Sequence, residues 1–218
     1  MKIHNLSTEN SIVNQFVAEL RNVNVHKDSM RFRKNLERIG EIIAYEISKQ
    51  LTYETIDIET PLGIAPVPLH KDSIVLSTIL RAGLPFHQGL LNIFDKAENA
   101  FVSAFRKYKS DHSNFQIVVE YMSSPDLEDK ILILSDPMLA TGSSMELAFH
   151  GLQQRGMPKH IHLASVIASK QGIEYVSQIF PKDKTSIWTA VIDPELNEHS
   201  YIVPGIGDAG DLAFGYKL

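Results

Sequence analysis

Cysteine is absent from all 218 residues. Without a thiol the chain can form no disulfide, no cysteine metal centre and no cysteine nucleophile. That absence fits a reducing compartment. Positive charge is scarce as well: Lys and Arg total 21 against 26 Asp and Glu, a formal net charge of −5. The balance argues against a general nucleic-acid coat and leaves room only for a local basic patch. Long apolar runs are missing too. Stretches such as Ile131-Leu132-Ile133-Leu134 stop after a few residues, far short of a bilayer span. The first eleven residues mix Lys2, His4, Asn5, Glu9 and Asn10 with no apolar stretch, so no secretion signal is expected. The sequon Asn5-Leu6-Ser7 is then accidental. There is no Gly-x-Ser-x-Gly elbow, no internal repeat and no low-complexity tract. A cytoplasmic protein with no membrane and no nucleic-acid partner is expected.

What is present reads as one α/β domain over residues 1–218. Hydrophobic residues make up 44% and charged ones 22%, ordinary globular usage. A chain this long buries about 70% of its unfolded surface without staples. Phe32, Leu36, Ile39, Ile43 and Ile47 recur at three- and four-residue steps, which predicts an amphipathic helix over Asp28–Leu51. Its Arg31, Arg33 and Lys34 read as a solvated face rather than a binding patch. Four Gly and Pro residues break Thr55–Leu69 into an irregular or edge segment. Beyond it, strands are expected at Ser73–Leu80, Asn99–Phe105, Phe115–Tyr121, Lys130–Ser135, His160–Ala168 and Thr185–Ile192. Helices follow Gly83 and fill Thr141–Arg155 and Gln171–Phe180, with a polar loop at Lys107–Asn114. Such alternation means a mostly parallel sheet flanked by helices. The subdivision expected is an N-terminal helical segment (1–52), a core (70–192) and a C-terminal hood (193–218).

The sharpest local signal runs from Ile131 to Ser144. A buried strand ends in Asp136, turns, and opens a helix at Thr141-Gly142-Ser143-Ser144. Unpaired N–H groups at a helix start, with the dipole behind them, attract anions. The three hydroxyls add donors, Gly142 lets the backbone close on a phosphate, and Asp136 can accept from sugar hydroxyls. Helix capping by Thr or Ser explains the same residues equally well. A Walker loop fails, because Ser143 rather than Lys follows Gly142. Gly205-Ile206-Gly207-Asp208-Ala209-Gly210 matches the dinucleotide pattern, but Asp211–Leu218 leave no room for a helix, strand or acid. The pair His160 and His162 lacks a third metal ligand and is better explained by strand alternation.

Three segments carry a resemblance: Ile79-Leu80-Arg81-Ala82-Gly83, the Asp136–Ser144 stretch, and the tail from Leu196 to Asp211. Together, in that order and spacing, they resemble the uracil phosphoribosyltransferase family, a type I phosphoribosyltransferase. The likeness runs from about Arg31 to Phe214. It implies transfer of a phosphoribosyl group from phosphoribosyl pyrophosphate (PRPP) to uracil, giving UMP. It assigns PRPP to Asp136, Pro137, Met138, Leu139, Ala140, Thr141, Gly142, Ser143 and Ser144, with Arg81 and Arg106 on the pyrophosphate. A guanidinium fork suits that role. Ile202, Gly207, Asp208 and Ala209 would surround uracil, and Asp208 would also lie near PRPP and its Mg²⁺. Arg81 and Asp208 are thereby the catalytic pair, and GTP an effector of a homo-oligomer, dimer or larger.

Pro137 directly after Asp136 favours this subclass over purine or orotate enzymes. Ser143 replaces a second glycine, which matters if that position needs positive φ. Lys107-Tyr108-Lys109-Ser110-Asp111-His112-Ser113 departs from the family after Arg106. The hood is expected to be separable: removing everything after Pro204 should leave the body folded. The rival reading is a regulatory RNA-binding protein on the same fold, which needs a concentrated basic face that −5 overall does not suggest.

Overall fold

The run Ile131-Leu132-Ile133-Leu134-Ser135 forms a strand buried at every position, as a wholly apolar run in a parallel sheet must be. The computed structural model describes residues 1–108 and 115–216, and only the backbone of 104–108 and 115–120. In chain order the elements are β1 (Lys2–Asn5), α1 (Val13–Arg21), α2 (Ser29–Ser48), β2 (Tyr53–Thr60), β3 (Gly63–His70), β4 (Ile74–Leu80) and α3 (Gly83–Ile93). There follow β5 (Glu98–Tyr108), β6 (Phe115–Ser123), β7 (Ile131–Ser135), β8 (Met138–Leu139), α4 (Ser143–Leu152), β9 (His160–Ser169) and α5 (Lys170–Ile179). The chain closes with β10 (Thr185–Asp193), β11 (Glu195–Leu196), β12 (Ile202–Val203) and α6 (Ala209–Phe214).

The main sheet has the order β1-β10-β9-β7-β4-β5-β6, with β8 paired to β9. Every pairing is parallel except β5 with β6. Side-chain alternation sends Ile131 and Ile133 into one core with α1, α2, α3 and the tail. Leu132 and Leu134 enter a second core with α4 and α5. The expected mostly parallel sheet with helices on both faces is present.

Four local readings need correction. The segment before Asp28 is not all helical, since β1 joins the sheet beside β10. Thr55–Leu69 is no irregular stretch but the body of a regular antiparallel hairpin, β2–β3. Pro66 and Pro68 are two residues apart on β3 and pair with Asp57 and Thr55, tolerable because no third strand needs their missing N–H. Lys107 and Tyr108 extend β5, and 109–114 of the expected polar loop lie outside the described residues. A six-residue helix, α6, fits after Gly207, although it leads into no βαβ unit and so gives the dinucleotide pattern no support.

The charged face of α2 is solvated at Arg31 and Lys34, both about half exposed, and only Arg33 departs from that reading. Arg31 pairs with Glu19 at 3.2 Å and Lys34 with Glu37 at 2.9 Å. Arg33 reaches the tail, donating to the Ala213 carbonyl at 2.6 Å.

His162 sits in the sheet as a core residue, 2% exposed, accepting from the Trp188 indole N–H at 3.0 Å. Burial, reinforced by His160 and His4, pushes its imidazole down to about 3. The folded state therefore holds it neutral, while the unfolded chain takes up a proton below about pH 6.5. Stability is present above that pH and is lost as pH falls toward 3. Urea midpoints across this window should fall more steeply for the wild-type protein than for His162→Gln. Parallel slopes would remove His162 as the cause.

Candidate active site at the carboxyl edge of the sheet

Parallel strands deliver their loops to one edge, and adjacent β4 and β7 are in register from Ile74↔Ile131 to Thr78↔Ser135. Arg81 follows β4 and Asp136 follows β7, so the two leave the sheet from neighbouring strands. The Leu80–Arg81 peptide is cis. Asp136 is tied to its own turn: its N–H donates to the Ala164 carbonyl at 3.1 Å, and its carboxylate accepts from the Met138 N–H at 3.1 Å. Pro137 and Leu139 are buried, with Met138 and Ala140 partly so. Strand β8 pairs Met138 with Ile167 and Leu139 with Ala168. The turn is thus stitched to β9 before α4 begins.

At the start of α4, Gly142 has φ +87°. A Cβ there would come within 2.8 Å of the Tyr175 ring and 2.9 Å of Val176. Thr141 Oγ1 lies 3.2 Å from Ser143 Oγ and accepts from the Ser143 N–H at 3.4 Å. The first N–H groups of any helix lack intrahelical acceptors; here they lie beside these hydroxyls and Ser144, and the Ser143 N–H already leans on Thr141 Oγ1. Ser143 is not among the non-glycine residues with positive φ, which are Asp129 and Ser200 among the described residues. Its replacement of a second glycine therefore imposes no backbone strain. Behind the loop, the Tyr175 hydroxyl donates to the Glu146 carboxylate, whose hydrogen bond holds the phenol above its ordinary range.

The C-terminal tail closes over Arg81. The guanidinium lies 3.3 Å from the Asp211 carboxylate and donates to the Gly215 carbonyl at 3.3 Å. Arg81 is 42% exposed, so this pair is worth well under about 1 kcal/mol and an arriving anion can displace it. Asp208 caps α6 by accepting from the Asp211 N–H at 3.0 Å, and its Oδ1 and Arg81 lie on the same side of Gly210. Gly207 is exposed with φ +83°. Ile202 is 7% exposed and Ala209 fully buried, main chain included, so Gly207 and the half-buried Asp208 are the more open members of this group. The tail packs into the body: Ile206, Ala209 and Ala213 belong to the core shared with α2.

Among the sequence-expected residues, Arg81 and Asp208 meet at the tail, and Asp136 to Ser144 form one loop. Arg106 lies on β5 opposite Ile117, but its side chain is outside the described residues. Sequence reasoning missed Asp211 as the partner of Arg81, and Asp193 as a tail contact. The second had a signal: an acid ending a buried strand, the same position that singled out Asp136. Among the described residues no group of three or more His, Cys, Asp or Glu is placed to hold a metal ion.

A family model described as uracil phosphoribosyltransferase matches residues 7–215. A protein of that name from Porphyromonas gingivalis is 59% identical over 218 residues, covering 100% of both chains. Another, from Methanothermobacter thermautotrophicus, is 40% identical over 190 residues, covering 86% of this chain and 85% of its own. A solved protein from Aquifex aeolicus superposes with a TM-score of 0.86 at 27% identity, covering 99% of each chain. A hypoxanthine phosphoribosyltransferase from Staphylococcus aureus gives a TM-score of 0.51 at 12% identity, covering 90% of this chain and 92% of its own. That last likeness concerns the type I phosphoribosyltransferase fold alone.

Gly142→Ala must strain φ and push against the Tyr175 ring, so it should cost roughly 2–3 kcal/mol of stability. Urea denaturation measures the cost. A loss below about 0.5 kcal/mol would mean that the loop relaxes away from α5 freely.

Proposed function

The chain belongs to the uracil phosphoribosyltransferase family, and from that membership we propose how its residues divide the work. The activity is pentosyl transfer in pyrimidine salvage: uracil and PRPP give UMP and pyrophosphate. The 5-phosphate of PRPP sits at the start of α4, against the Thr141, Ser143 and Ser144 hydroxyls and the first N–H groups of the helix. Asp136 accepts from the ribose hydroxyls. Arg81 exchanges Asp211 and Gly215 for the pyrophosphate, and Arg106 is its second cationic contact. Uracil lies against the main chain of Ile202 and of Gly207, Asp208 and Ala209.

Supporting this reading above all is one convergence. An anion-attracting helix start and an exchangeable arginine share the sheet edge over which the tail folds. As the C1–O bond to pyrophosphate breaks, the ribose gains oxocarbenium character and N1 of uracil attacks, its proton passing to the departing pyrophosphate or to solvent. Positioning and charge stabilisation then carry the catalysis, and no general base is assigned. Mg²⁺ is proposed to arrive with PRPP, since that ion is usually held by one or two carboxylates plus substrate phosphates. Asp208 is the carboxylate that would meet it. When bound, the ion offsets charge on the departing pyrophosphate.

No described helix is long and apolar enough to cross a membrane, and we place the reaction in the cytoplasm. GTP activation is proposed from the family resemblance and is read by adding GTP to the same assay. The working form is proposed to be a homo-oligomer in which β2–β3 docks on a second copy. Tyr53, Ile56, Ile58, Leu62, Ile64 and Leu69 are all exposed on this hairpin. A lone two-stranded hairpin is marginal in water, and an apolar patch of this kind marks an association surface.

A nucleobase panel with PRPP and Mg²⁺, followed by pyrophosphate release, should respond to uracil and not to cytosine, adenine or hypoxanthine. A hydrogen-bond mismatch at position 4 can separate uracil from cytosine by roughly 10⁴. Arg81→Ala should lower kcat as well as PRPP affinity, because the guanidinium matters most as charge develops on the leaving group. Full activity in that variant would return Arg81 to the status of a surface residue. Sedimentation should give a dimer or larger species that Leu62→Glu with Ile64→Glu converts to monomer. A wild-type monomer at assay concentration would sink the oligomer proposal.

A further inference from the structure

We propose that Arg21 and Asp193 are positioning residues for the uracil end of the site, acting through Gly205. The inference rests on the assignment of Ile202 and Gly207–Ala209 to uracil.

Arg21 ends α1 and Asp193 ends β10, 172 residues apart in sequence. Their guanidinium and carboxylate meet through two near-parallel bonds of 2.7 and 2.9 Å. This is the bidentate form that only a planar fork achieves. Asp193 is 3% exposed, so water competes little for the pair.

Both polar main-chain groups of Gly205 end on this one ion pair. Arg21 donates to the Gly205 carbonyl at 3.1 Å, and the Gly205 N–H donates to Asp193 Oδ2 at 2.8 Å. The residue itself has no freedom to compensate. Its φ is +63°, and a Cβ would fall 2.0 Å from the Ile202 carbonyl oxygen. Three residues, Ile206 to Asp208, then separate Gly205 from α6, and at their far end Asp208 caps that helix. The path of this short bridge is therefore set at one end by the cap and at the other by Arg21 and Asp193. A buried ion pair is by itself weak evidence for stability. Its four bonds here are better understood as fixing where the Gly207 and Asp208 main chain stands.

Arg21→Lys keeps a charge opposite Asp193 but cannot hold the carboxylate in two places and reach Gly205 as well. Asp193→Asn keeps an acceptor for the Gly205 N–H and loses the charge. Both should raise KM for uracil at least tenfold while KM for PRPP stays within about twofold. The preference for uracil over cytosine should narrow in step, and amide exchange at Gly205 and Gly207 should speed up. Gly207→Val serves as the control, because it disturbs the proposed base contact directly. If Gly207→Val raises the uracil KM and the two ion-pair variants do not, the inference is overturned and the tail assignment stands. Should Gly207→Val leave uracil kinetics untouched, the tail assignment is wrong and the inference falls with it. A proportional loss toward both substrates, tracking a lowered melting temperature, would also overturn it by reducing the pair to a structural staple.

Discussion

Parallel pairing is the constraint on which the rest of the structure depends. Because β4, β7, β9 and β10 all run the same way, the residues that end or directly follow them emerge at one edge: Arg81, Asp136, Ser169 and Asp193. Parallel neighbours also require crossovers, and these supply the helices that bury both faces. The helix α4 thus begins at the edge where Asp136 turns, and its first-turn N–H groups, which have no acceptor within the helix, arrive there without any further device. Sheet and site are one solution to one geometric demand.

Much of this was legible in the sequence, and the reasons for the rest are physical. Strands β4, β7, β9 and β10 announce themselves because burial on both faces demands continuous apolar runs. The strand β1 does not, since Lys2–Asn5 is a four-residue edge strand exposed or half-exposed throughout. Proline made β2–β3 look irregular, although an edge strand with no third neighbour loses nothing by it. The helix α6 is too short for periodicity to register, and its start is marked only by Asp208. Arg33 looks solvated in the sequence because its partner is a carbonyl 180 residues away. The loop from Asp136 to Ser144 was legible because its contacts are local, and the partner of Arg81 was not because it lies 130 residues on.

Two ion pairs touch the tail, and their strengths differ in the way their tasks require. Arg81 with Asp211 is exposed, singly bonded and long at 3.3 Å, so it yields easily to a doubly charged anion. Arg21 with Asp193 is bidentate and its carboxylate side chain is 5% exposed. Removing one member would strand a buried charge at a cost of about 3–5 kcal/mol. Arg33, which holds Ala213, also stacks its guanidinium 5.9 Å from the Phe214 ring.

The pairing of β1 with β10 sets a timetable for synthesis. Lys2 lies opposite Ser186, so the first strand made must wait for almost the last strand before it can dock. At roughly 5–20 residues per second, that wait is on the order of ten to forty seconds on the ribosome. The helix α1 is in the same position, since Arg21 has no Asp193 to bind until β10 is complete. A nascent chain can assemble the α4 turn early, but the far side of the pocket stays open until β10 has been made.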